Sequence, residues 1–140
     1  MAAGMTGEGL PGPALTGAHG RDLRLDAVDS SARLARDFAR SHLGEVERDT
    51  LDSVLLVTTE LVTNAVLHAS RGPIDMRIEV NPASVLVRVF DSEPREPTMR
   101  PHHVERTNGR GIALVSMVSA EWGTVLHDGG KTVWALVHRR

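Results

Sequence analysis

The hydrophobic pattern changes from helical to alternating period near residue 72, and that switch limits the folds open to the chain. Before it, Leu51, Val54, Leu55, Thr58, Leu61, Val62, Ala65, Val66 and Ala69 recur at three- and four-residue spacing, the stripe of an amphipathic helix. This helix starts at Glu45 or Asp49 and ends at Arg71-Gly72-Pro73. After it, Ile74, Met76, Ile78 and Val80 alternate with polar residues. Val85, Val87 and Val89 do the same beyond an Asn81-Pro82-Ala83 turn. Two alternating runs around a turn predict a hairpin with one buried face.

The flanks extend the pattern. Leu23 and Leu25 suggest a short edge strand over Asp22–Ala27. Ser30 and Ser31 are N-cap candidates for a first helix bearing Leu34, Ala35, Phe38, Ala39 and His42, stopped by Gly44. Residues 91–108 lose all periodicity and hold Pro94, Pro97 and Pro101, a long loop of the kind that carries function or lacks order. A helix is expected over Ile112–Ser119. Strands are expected at Trp122–His127 and Thr132–His138, around an Asp128-Gly129-Gly130 turn. The order β-α-α-β-β-loop-α-β-β predicts a two-layer α/β sandwich, its mixed, mainly antiparallel sheet covered by helices on one face. Residues 1–20, with six glycines and two prolines, read as a flexible arm, and residues 21–140 as one domain.

Composition removes whole classes of function. Aromatic residues make up only 3% of the chain, which calls for an aliphatic core and leaves little for base stacking on aromatic platforms. The formal net charge is −2 and no basic stripe is present, so direct nucleic-acid binding is not expected. The absence of cysteine excludes disulfides, thiolate metal sites and cysteine nucleophiles. No uninterrupted apolar run reaches the length of a membrane span, and the N-terminus lacks the basic start and apolar stretch of a signal peptide. A cytoplasmic protein without membrane partners is the expectation. The adjacent His102 and His103 are poorly spaced to share one ion, so no structural metal site is expected from the seven histidines. Lys131 is the sole lysine.

Three places could carry chemistry. Glu60 and Asn64 stand one helical turn apart, and His68 continues their row, off the apolar stripe. Alone, the pair fits a solvated face. It also fits a carboxamide oxygen ligating Mg²⁺ beside a carboxylate that accepts a proton. Asp91 ends an alternating strand at the mouth of the long loop. It reads either as a turn-initiating residue or as an acceptor for an exocyclic amine. Asn108-Gly109-Arg110-Gly111 precedes a helix, where glycines and free N–H groups suit an anion, although a plain loop-to-helix junction has the same composition. Gly130-Lys131-Thr132 enters a strand, so it is not the end of a P-loop.

Taken in order, Glu60-Leu61-Val62-Thr63-Asn64-Ala65, Val89-Phe90-Asp91, Gly109-Arg110-Gly111-Ile112-Ala113-Leu114 and Gly130-Lys131-Thr132-Val133-Trp134 resemble four boxes of the histidine-kinase-like (GHKL) ATPase superfamily. The chain looks like the small bacterial anti-sigma factor serine/threonine kinases of the partner-switching type, over residues 21–138. The resemblance implies a Bergerat-type ATP-binding fold with ATP and Mg²⁺ as cofactors and residues 92–108 as the ATP lid. It implies Glu60 as general base and Asn64 as Mg²⁺ ligand. Asp91 would bind the adenine amine with help from Thr132, and Gly109, Arg110 and Gly111 would wrap the phosphates. The implied partners are a sigma factor, which the protein would sequester, and an anti-anti-sigma (STAS-type) protein, which it would phosphorylate. The family often pairs, which leaves a homodimer open.

One box departs from the family. Its usual Asp-x-Gly-x-Gly is here Asp91-Ser92-Glu93-Pro94-Arg95, without either glycine. The intact Glu60/Asn64 pair favours a kinase. The missing glycines favour a non-catalytic interaction module of the same fold, nucleotide-binding or nucleotide-independent.

Overall fold

A computed structural model describes residues 12–68, 72–92, 113–127 and 129–140. The elements are β1 (His19–Leu25), α1 (Ser31–Leu43), α2 (Arg48–His68), β2 (Ile74–Val80), β3 (Ser84–Asp91), β4 (Glu121–His127) and β5 (Gly130–His138), with a helical turn at 113–118 before β4. The strands form one sheet in the order β1-β2-β3-β5-β4, and every pairing among them is antiparallel. Both long helices lie on one face, α2 against β3 and β5 and α1 against α2 and β1. The expected two-layer α/β architecture is therefore present, with a purely antiparallel rather than mixed sheet.

Local chemistry explains the boundaries. Gly44 closes α1 with a φ of +63°, a left-handed value that costs glycine little. Ser30 occupies the N-cap position without making a side-chain cap bond. Ser31 instead donates from its hydroxyl to the Asp26 carbonyl at 2.5 Å. The β2–β3 turn is an Asx turn: the Asn81 Oδ1 accepts from the backbone N–H groups of Ala83 and Ser84, both at 2.8 Å.

Alternation sorts the sheet into two faces. Met76, Ile78, Val85, Val87, Val89, Val133, Ala135 and Val137 face the helices and form the core with Val54, Val57, Leu61 and Val62 of α2. The core is aliphatic, as the scarcity of aromatics required. Val57 joins it although it lies outside the predicted stripe, because α2 is packed by α1 as well as by the sheet. Among the described residues α2 is also the one helix long and apolar enough to cross a membrane by length and composition, although polar and charged residues interrupt its apolar run. Here that apolar surface serves the core.

Two expectations change. The β2–β3 hairpin does not have a single buried face, since every residue of β3 is buried. On the side away from the helices lie Leu86, Arg88 and Phe90, covered in part by the chain before β1. That chain is the second difference. β1 begins at His19, inside the segment read as an arm, and residues 12–16 already touch the sheet. The Leu15 N–H donates to Glu79 at 3.1 Å, Asn81 donates to the Thr16 carbonyl at 3.2 Å, and a Cβ on Gly12 would stand 3.5 Å from the Trp134 ring. Beneath them, one Glu79 oxygen accepts from both Arg77 and Arg88 at 2.8 Å.

Candidate functional site

Helix α2 and strand β3 run in the same direction, because β2 returns the chain between them. Their C-terminal ends therefore meet at one end of the domain, together with the start of β5, which is antiparallel to β3. Three of the sequence-predicted regions converge here: the Glu60–His68 row of α2, Asp91 at the end of β3, and the Gly130-Lys131-Thr132 start of β5. The phosphate-loop candidates Gly109, Arg110 and Gly111 lie outside the described residues. So do the predicted lid beyond Ser92 and the His102-His103 pair.

Glu60, Asn64 and His68 are each partly exposed, whereas Leu61, Val62 and Ala65 between them are buried. Helical geometry makes this division: residues four apart share a row about 6 Å along the axis per step, and the row beside the core stripe stays within reach of solvent. A carboxylate and a carboxamide oxygen one turn apart on such a row can together hold a hydrated divalent cation and a proton acceptor.

Asp91 is differently placed. Its residue is 1% exposed, and its Oδ2 stands 3.1 Å from the Nζ of Lys131, itself 6% exposed. The two are direct cross-strand partners, on the helix side of the sheet by the same alternation that points Val89 and Val133 into the core. Ile74, fully buried, is the cross-strand neighbour of Asp91 on β2. Gly130 lets β5 come this close. It has a φ of +151°, and a Cβ there would collide with the Asp91 carbonyl oxygen. An ammonium beside a buried carboxylate offsets part of the desolvation cost of each.

Thr132, expected beside Asp91, is the cross-strand partner of Phe90, and the register puts it on the opposite face of the sheet. Lys131 is the β5 residue on the Asp91 face. Its singularity in the sequence marked it, but its partner depends on the non-local β3–β5 register and could not be read from spacing. Among the described residues no group of three or more His, Asp or Glu side chains could hold a metal ion, so a divalent cation here would need phosphate oxygens or water to complete its shell.

Residues 25–136 match the family model described as a histidine kinase-like ATPase domain. No curated protein matches the chain.

Proposed function

The chain belongs to the histidine kinase-like ATPase family, and from that premise we propose that it is an ATP-dependent serine/threonine protein kinase that also acts as an anti-sigma factor. It would sequester a sigma factor in the cytoplasm and phosphorylate a serine on an anti-anti-sigma protein. The observation that carries this reading is the Glu60/Asn64 pair, one turn apart on the partly exposed row of α2, at the same end of the domain as Asp91.

The donor set suits a magnesium nucleotide. Asn64 offers a hard oxygen, Asp91 a carboxylate for an exocyclic amine, and Glu60 a base on the same helix row. MgATP, when bound, would supply the γ-phosphoryl group and be left as ADP. Glu60 would accept the proton from the attacking serine hydroxyl, and Asn64 would be a ligand for the cation. The buried Asp91–Lys131 pair and the missing glycines after Asp91 favour a second reading, an interaction module that binds its partners without phosphoryl transfer.

Incubating the protein with labelled ATP, Mg²⁺ and the anti-anti-sigma proteins of the same genome tests the first reading. Label on a serine of one of them is the expected result. Tight binding to such a protein with no transfer establishes the second.

A further inference from the structure

We propose that the cavity between the start of β1 and the last turn of α1 is a phosphate-binding site, in which His19, Arg21 and His42 hold a phosphate group, free or carried on a small molecule. The site lies at the end of the sheet opposite Asp91, and the inference does not depend on the nucleotide reading above.

The sheet register brings the cations together. His19 and Arg21 are the cross-strand partners of Val80 and Ile78, so both lie on the helix side, in line with Leu23 and Leu25. There they stand beside the last turn of α1, and the His42 Nε2 is 3.3 Å from the His19 carbonyl oxygen. Arg139, just beyond β5, closes the other side and donates to the Asn81 carbonyl at 3.1 Å. These segments enclose about 740 Å³. β1 begins opposite the end of β2, whereas Asp91 pairs with Ile74 at the start of β2. The length of the sheet therefore separates this cavity from the Glu60/Asn64 and Asp91 end.

Its charge is one-sided. Four of the residues lining it are arginine or histidine, and none of those described carries a carboxylate. The carboxylates of the neighbouring elements are engaged elsewhere: Asp37 with Arg40 on α1, Asp22 and Glu79 with Arg77, and Glu47 with Arg139. Arg21 makes no ion pair among the described residues. The consequence appears at His42. Burial, and then the charges of Arg21, His19 and Arg77, hold its imidazole below the ordinary range against the bond to the His19 carbonyl. An anion in the cavity reverses this balance. It offsets the positive field, accepts from the Arg21 fork, and favours the imidazolium, which adds a further donor. A phosphate dianion suits the set better than a carboxylate, because its oxygens accept from three separate donors and its charge matches more than one cation. Capping the free edge of β1 needs His42 alone and gives Arg21 no part.

Histidine ring NMR spectra of the full chain at pH 6.5 test the proposal, with the His42 signal assigned through His42→Gln. Inorganic phosphate or O-phosphoserine is added while sodium chloride keeps the ionic strength constant. The His42 signal should shift to saturation, and its pKa should rise with the anion bound. Arg21→Gln should weaken the fitted affinity about 5- to 10-fold, the scale of one charge-assisted hydrogen bond in partial contact with water. Arg33→Gln removes the same charge from an exposed site in the first turn of α1 and should leave the affinity within about twofold. Phosphate itself takes up a proton near neutral pH, so sulfate, which stays a dianion, is the probe for pH dependence. Its affinity should increase from pH 8 to pH 6 as the histidines charge. Saturation by either phosphate compound supports the proposal, and the tighter of the two names the source. A His42 signal that does not move, that moves as much with sodium chloride alone, or that titrates equally in Arg21→Gln overturns it, as does a sulfate affinity independent of pH.

Discussion

Glu60 and Asn64 share a helix row but bring different chemistry to it, so their substitutions should fail in different ways. Glu60→Gln keeps the shape of the side chain and removes its basicity. It should retain nucleotide affinity and lose phosphotransfer by about 10²–10⁴-fold, the range for a positioned general base. Asn64→Ala removes a hard oxygen ligand. It should weaken binding in the presence of Mg²⁺ and make the remaining affinity nearly independent of the cation. Titration calorimetry with and without Mg²⁺, next to a transfer assay, separates the two. Unchanged phosphotransfer in Glu60→Gln would remove Glu60 from the chemistry. Both residues are only partly buried, so neither change should unfold the domain.

Strands β2 and β3 show what a sequence pattern can and cannot reveal at the level of the element. The alternation of Ile74, Met76, Ile78 and Val85, Val87, Val89 marks the core face and the hairpin to within a residue, because a period of two needs only local sequence. The outer face of the same strands reads as solvated, since it holds Arg77, Glu79 and Arg88. In the structure these side chains form a nearly buried cluster. Burial works to raise the Glu79 carboxyl, but the bonds from Arg77 and the Leu15 N–H and the charge of Arg88 outweigh it and hold the group below its ordinary range. The stabilisation from this lowered value is therefore complete above the unfolded pKa, about 4.3, and is lost as pH falls through the lower folded value. Glu79→Gln leaves two arginines without their shared carboxylate and should cost about 3 kcal/mol at pH 7. Urea denaturation at pH 7 and pH 3 should show that deficit shrinking in acid, where the parent loses the same interaction. An equal deficit at both values would mean that the carboxylate charge is not the source. The cluster escaped the sequence reading because its members come together through register and through a backbone N–H 64 positions away. The Asp91–Lys131 pair was hidden for the same reason. Both residues stood out singly, but which β5 residue shares the Asp91 face depends on the parity of the β3–β5 pairing.

The whole domain separates its tasks by face. The helix side of the sheet carries the core and, at one end, the Glu60 row and the Asp91–Lys131 pair. The opposite side carries the Arg77–Glu79–Arg88 cluster, with the chain before β1 laid across it. Removal of residues 1–17 should therefore affect stability without affecting the site. The truncation deletes the bond from the Leu15 N–H to Glu79, the bond from Asn81 to the Thr16 carbonyl, and the backbone at Gly12, where an added Cβ would stand 3.5 Å from the Trp134 ring. At about 1 kcal/mol per hydrogen bond the loss should be about 2 kcal/mol, with a Tm lower by several degrees. Trp134 offers a direct reporter. With Trp122, which is 38% exposed on the other face, changed to Phe, the remaining tryptophan emission should shift to the red on truncation as water reaches the ring. Nucleotide affinity, measured on the same two proteins, should be unchanged, because the hydrogen bonds of the described residues 12–17 and the approach of Gly12 to Trp134 lie on the face away from the helices and at the β2–β3 turn. Unaltered emission and Tm would show that the segment does not lie on the sheet in solution. Weakened nucleotide binding with intact stability would show that the two faces are coupled through the strands between them.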